Sequence, residues 1–93
     1  MGGLRRTKSV SGRKIMYYVY LLETKNKGTY IGCTTKLKER IVRHRNGYVP
    51  ATKNLRLIKL KLFIVFTNKY KAYNFEKYLK SGSGRAFLKK RLI

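Results

Sequence analysis

The stretch that decides the fold runs from Met16 to Cys33, MYYVYLLETKNKGTYIGC. Its first part, Met16–Glu23, is rich in aromatic and β-branched side chains, as a strand is. Thr24-Lys25-Asn26-Lys27-Gly28 follows as a turn in which Gly28 is expected to supply a positive φ. Thr29–Cys33 returns as a second strand, and the two form a β-hairpin. Side chains alternate along a strand, so Tyr18, Tyr20 and Leu22 share one face and Tyr17, Val19 and Leu21 the other. If the loop holds an odd number of residues, even-numbered positions of both strands face the same side. Tyr20 and Tyr30 then sit together with Gly32 beside them, and a glycine there is expected to leave room for a phosphate to approach the sheet.

Beyond the hairpin, Thr34 or Thr35 caps a helix reaching about Asn46, with Leu37, Ile41 and Val42 at helical spacing and Asn46-Gly47 as its stop. A loop holding Pro50 leads to Leu57–Phe66 (LIKLKLFIVF), which reads as a central strand buried on both faces. Asn68 is the expected N-cap of a second helix to about Ser81, with Ala72, Phe75 and Leu79 inward. Ser81-Gly82-Ser83-Gly84 breaks it, and a short helix over Arg85–Leu92 packs Phe87 and Leu88. The order is ββαβαα, an α+β domain with a small, mostly antiparallel three-stranded sheet flanked by helices. Residues 1–15, without periodicity and rich in Gly, Ser and basic side chains, read as a flexible basic arm; residues 16–93 form the domain.

The charge names the kind of partner. Twenty-four Lys and Arg stand against three acids, a net +21. The arm carries five of the basic residues, so 19 remain in the domain itself. Self-repulsion on that scale opposes compactness unless a polyanion is at hand. Nucleic acid fits first, since neutralised phosphates release counterions on binding. No basic amphipathic helix with a clean apolar face points to a membrane surface, and no apolar run approaches the roughly 20 residues of a span. The single Cys33 excludes an internal disulfide and a thiolate zinc site built from this sequence. The expected setting is reducing and intracellular: a bacterial cytoplasm or an organelle interior.

Two aromatic strands, a basic helix and a lone glutamate on a later helix resemble the GIY-YIG nuclease superfamily. Tyr18-Val19-Tyr20 is similar to its first motif and Tyr30-Ile31-Gly32 to its second. Arg40, ten residues after Tyr30, matches the catalytic arginine; His44 follows one helical turn later, and Glu76 matches the metal-binding glutamate. The segment EKYLKSGSGRAFLKKRL resembles the end of the small single-domain members, and the likeness covers about residues 16–92. The resemblance implies a DNA endonuclease using Mg²⁺ or Mn²⁺ held by Glu76, akin to the nuclease domains of excision-repair and structure-specific enzymes, in DNA repair or a mobile element. One family feature is missing: no Asn or Gln follows Asn74, which leaves Ser81, Ser83 or Lys89 to substitute, or the role unfilled.

Chemistry supports the same residues. Arg40 and His44, at i and i+4, stack on one helix face; a guanidinium fork suits a phosphate in its transition state, and a neutral imidazole accepts a proton. Tyr20 would help activate the attacking water and Tyr30 would orient water or phosphate. Glu76 lies at the margin of the buried stripe, with an i, i+4 pair to Lys80 as its alternative use. Of the other acids, Glu39 is expected to pair with Arg43 and Glu23 to be exposed. Lys36, Arg43, Lys53 and Arg85, with Gly32, are the expected nucleic-acid contacts. DNA is the expected partner, RNA stays open as substrate, and a protein partner could supply specificity. A binding module without catalysis and a basic ribonucleoprotein component are the rival functions.

Overall fold

The middle of the sheet belongs to β1 (Tyr17–Glu23), which pairs antiparallel with β2 (Thr29–Thr34) on one side and β3 (Lys59–Phe66) on the other. This is a computed structural model, and it describes residues 14–24, 28–50 and 59–93. The readings of residues 1–13 as an arm and of Lys53 as a contact lie outside the described residues.

The expectation that the third strand is central is overturned. β3 lies at an edge, and its side chains alternate strictly between half-buried and exposed. Lys59 and Lys61 stand outward, as charged side chains on an edge strand do, and Phe63 and Val65 are themselves exposed. The continuous burial belongs to β1, where Val19, Tyr20, Leu21 and Leu22 are all covered because both faces carry helices. A register shift between Leu21 and Leu22 skips Lys61, so that Leu62 faces Leu21 while Leu60 faces Leu22.

The hairpin has the expected parity. Tyr20 lies opposite Gly32 and Leu22 opposite Tyr30, so even positions share a face. Its closing bond is Thr24 N–H to the Gly28 carbonyl, 3.0 Å. Gly28 does not take the positive φ expected of it: among the described residues Gly47 does, at 76°.

The helices divide between the faces. α1 (Leu37–Arg45) covers the even face through Leu37 and Ile41 against Tyr20, Leu22, Tyr30 and Leu60. Its buried residues are Ile41 and His44; Val42, expected inward, is exposed. The amide of Gly47 bonds to the His44 carbonyl and that of Tyr48 to the Arg43 carbonyl, a paired closure that only a left-handed residue at Gly47 permits. Neither threonine caps the start by bonding into the helix; Thr34 Oγ1 instead accepts from the Lys36 amide.

α2 (Lys69–Leu79) covers the odd face, capped by Asn68 Oδ1 accepting from the Lys71 amide. Ala72, Phe75 and Leu79 turn inward onto Val19, Leu21 and Ile31, as their spacing requires. The break falls at Lys80 and Ser81, and α3 (Gly82–Phe87) begins inside the expected linker. Ser81 Oγ donates to the Tyr78 carbonyl and accepts from the Gly84 amide, so this serine is spent on capping. Gly84 is buried where a Cβ would run into the Tyr78 carbonyl and Leu79, which lets α3 fold tightly over the end of α2. A terminal π-helical segment, Leu88–Leu92, brings Leu88 into the same core.

Candidate active site

Tyr20 is the centre of the even face. Its ring lies across Gly32, and a Cβ at that position would collide with the phenol oxygen and ring carbons. The space at Gly32 therefore belongs to Tyr20, not to an approaching phosphate. This corrects the role expected of the glycine while explaining why a glycine must stand there.

Held in that notch, the Tyr20 hydroxyl lies 2.9 Å from His44 Nε2 in a fully buried pair. Tyr30 completes the group: its ring meets His44 edge-on at 4.9 Å between centroids and tilts against Tyr20 at 6.3 Å. Burial, and secondarily the positive charge of Arg40, push the His44 imidazole below its ordinary 6.5. The direction of this bond follows the tautomer: in the Nδ1–H form the phenol donates and Nε2 accepts, and in the Nε2–H form the ring donates to the phenol oxygen. The phenol holds its own proton firmly. Burial above all raises Tyr20 from 10.0 to about 12; Tyr30 and Glu76 add to this and Arg40 opposes it.

Arg40 sits one turn before His44, half-buried on the same helical face. Glu76 comes from α2, which packs on the opposite face of the sheet. Both charges nevertheless act on Tyr20, and both act on Cys33 of edge strand β2. The charges of the cation and of the carboxylate thus both reach Cys33 on the free edge of β2. Cys33, half-buried against the odd-face core, has its thiol pushed up first by burial and then by Glu76. Sequence reasoning gave Cys33 no part, and its place directly after Gly32 was the available sign that it borders the site.

Glu76 is partly covered and ion-paired to Lys80 at 3.0 Å, so the alternative use of this acid is realised in the same side chain. Among the described residues the other ion pair joins Glu23 to Lys61 at 3.8 Å; Glu23 is only half-exposed, and Glu39 does not close on Arg43. Lys36, Arg43 and Arg85 are exposed, outside the Tyr20–His44 group. Lys89 lines a hollow with Glu23 and Thr29 at the turn end of the hairpin, apart from the Tyr20–His44 group that the missing asparagine would help orient. Ser83 is exposed on α3.

Among the described residues no three of His, Cys, Asp and Glu gather to hold a metal. The carboxylate whose charge reaches both Tyr20 and Cys33 is that of Glu76. That suits a hard cation of the Mg²⁺ type, which keeps several waters and takes further oxygens from a phosphate, and does not suit zinc.

Comparison with known proteins identifies the family. The model of the GIY-YIG catalytic domain matches residues 16–91. This chain belongs to the GIY-YIG family. It is 39% identical over 66 residues to a UPF0213 protein of Clostridium perfringens, covering 70% of this chain and 71% of that one. The solution NMR structure of a UPF0213 protein from Bacillus halodurans superposes with a TM-score of 0.53 at 30% identity, over 81% of this chain and 83% of that one. The GIY-YIG fold is a nuclease fold, and here it is the three-stranded α+β domain described above. No helix among the described residues is long and apolar enough to cross a membrane.

Proposed function

We propose that this GIY-YIG domain is a metal-dependent DNA endonuclease that hydrolyses phosphodiester bonds by recognising backbone or DNA structure. The observation that carries the reading is the buried Tyr20–His44 hydrogen bond with Arg40 and Glu76 acting on the same phenol. A purely structural tyrosine needs neither a buried imidazole nor an arginine and a glutamate whose charges both reach it.

Tyr20, with a proton held up to about 12, does not act as a standing phenolate at neutral pH. It relays instead. The pair is covered in the free protein, so substrate binding must admit the attacking water. With His44 in its Nδ1–H form, that water gives its proton to the Tyr20 oxygen as the Tyr20 hydroxyl proton passes to His44 Nε2, leaving an imidazolium and a restored phenol. The lowered basicity of His44 keeps the acceptor unprotonated before the reaction. Arg40 neutralises the phosphoryl oxygens, a charge-assisted contact that strengthens as the phosphorane forms. Tyr30, packed against His44, fixes the imidazole plane and orients water or phosphate. Glu76 would hold a Mg²⁺ or Mn²⁺ ion, which when bound supplies charge stabilisation at the leaving oxygen.

The test is cleavage of duplex, branched, flapped and single-stranded DNAs with and without Mg²⁺ or Mn²⁺. Metal-dependent cutting is expected. Arg40→Ala and Glu76→Ala should each lose roughly 10²–10³ in rate while keeping the fold, and Glu39→Ala should cut normally. Binding without cutting of any substrate would replace the enzyme by a nucleic-acid-binding module.

A further inference from the structure

The outer face of α2 pairs bare aromatic rings with lysine. Tyr70 is 71% exposed and Tyr73 45% exposed. The Lys69 ammonium lies 5.9 Å from the centroid of each, so one cation serves both rings. Among the described residues neither ring meets another aromatic. Tyr78 on the same helix differs, because Phe75 and Phe87 flank it at 6.2 and 6.1 Å. Neither hydrophobic cluster includes Tyr70 or Tyr73, so packing does not explain two large rings held in water.

Their position on the helix gives them a direction. At 100° per residue Lys69, Tyr73, Glu76 and Lys80 fall within a narrow stripe, with Tyr70 and Lys77 along its outer margin. Tyr73 stands one turn before Glu76, about 4.5 Å along the axis. A strand laid along this stripe with its bases on Tyr70 and Tyr73 and its phosphates on Lys69 and Lys77 runs directly to the carboxylate.

We propose that the outer face of α2 is a stacking platform for an unpaired DNA strand, which places the adjoining phosphodiester at Glu76. An exposed ring can stack only on a base whose face is free, and in a duplex each base face is covered by its neighbour. Stacking on tyrosine is tolerant of sequence, and the lysines supply the phosphate contacts that unpaired strands also need. The charge of the chain, +21, favours a polyanion over a neutral peptide on this surface. The strand is DNA because the stripe includes Glu76, the glutamate of the proposed nuclease site, so the proposal rests on the function proposed above. It makes the substrate class one with a single-stranded segment beside the scissile bond: a flap, a branch arm or a single strand.

The experiment measures affinity by fluorescence anisotropy, without metal so that nothing is cut, for labelled oligo(dT), a duplex of the same length, oligo(U) and poly-glutamate. Wild type, Tyr70→Ala/Tyr73→Ala and Tyr70→Phe/Tyr73→Phe are compared; both positions are exposed, so all three should fold. The double alanine variant should bind oligo(dT) at least roughly tenfold more weakly, with duplex and poly-glutamate affinity changing less than about twofold. The double phenylalanine variant should bind oligo(dT) like wild type, since stacking uses the ring and not the hydroxyl. Equal losses on oligo(dT) and duplex, or no loss on oligo(dT), overturn the platform. Equal losses on poly-glutamate overturn its assignment to nucleic acid, and tighter, ring-dependent binding of oligo(U) overturns its assignment to DNA. The nuclease reading fails separately: a wild-type chain that cuts nothing but shows the ring-dependent oligo(dT) affinity keeps the platform and loses the enzyme.

Discussion

Beneath α2 and α3 the sheet buries Val19, Leu21, Ile31, Ala72, Leu79 and Leu88, carbon against carbon. Beneath α1 it buries a phenol, an imidazole and only a few aliphatic side chains, Leu22 and Ile41 among them. The two faces share β1, and adjacent residues Val19 and Tyr20 serve one each. The contrast shows where this small domain puts its stability and where it accepts a cost. A buried hydroxyl and ring nitrogen contribute modestly even when paired and are expensive when unpaired. Such groups persist on one face only if they do something that carbon cannot.

The largest effect expected from breaking the comparison lies on the apolar face. Leu79→Ala removes a side chain 1% exposed at the junction of α2 and α3 and should cost about 2–5 kcal/mol, read from denaturant unfolding. A loss under about 1 kcal/mol would mean that the odd face does not carry the fold. Next comes Gly32→Ala on the even face. Its Cβ enters the volume of the Tyr20 ring, so the ring must leave and the bond to His44 with it. Over-packing of this kind should cost about 1–3 kcal/mol and remove cleavage together. Retained cleavage in Gly32→Ala would show that Tyr20 need not lie in the notch.

These two residues also measure how far the sequence could be read. Leu79 was legible because helical spacing alone places it with Ala72 and Phe75. Tyr20, Tyr30 and Gly32 were legible as a group because strand alternation and an odd loop leave one outcome for their face. What fills the notch at Gly32 was not legible, since alternation gives a face and not a rotamer. The position of β3 failed for a related reason. A run of apolar residues describes a buried strand and an edge strand equally well, and only the pairing partners distinguish Lys59–Phe66 from β1. Val42 went outward because α1 is pinned by Ile41 and by the polar His44, which a hydrophobic pattern does not count. Glu76 fell between two readings because its stripe position serves both Lys80 and the β2 edge.

The smallest expected effect is also the one that tests the even face most directly. Tyr20→Phe keeps the ring over Gly32 and deletes the one hydroxyl bonded to His44, so unfolding should cost about 1 kcal/mol near neutral pH and cleavage should fall. The pH dependence of that difference has a definite sign. In the unfolded chain the phenol ionises near 10.0; in the fold it resists up to about 12, chiefly because it is buried. Between those values the unfolded chain has lost a proton that the folded chain keeps, so the wild type loses stability as pH rises from 10 to 12 and Tyr20→Phe does not lose that share. His44 produces the opposite limb in both proteins: its imidazole is held below 6.5, so stability is complete above that value and declines as pH falls beneath it. The wild-type-minus-variant difference should therefore stay level to about pH 10 and shrink above it, as measured by urea unfolding at a series of pH values. A difference that grows above pH 10 would mean that Arg40 outweighs burial and that the fold prefers the phenolate. Tyr20 would then act as a base in its own right, and the relay through His44 would give way to direct deprotonation of water.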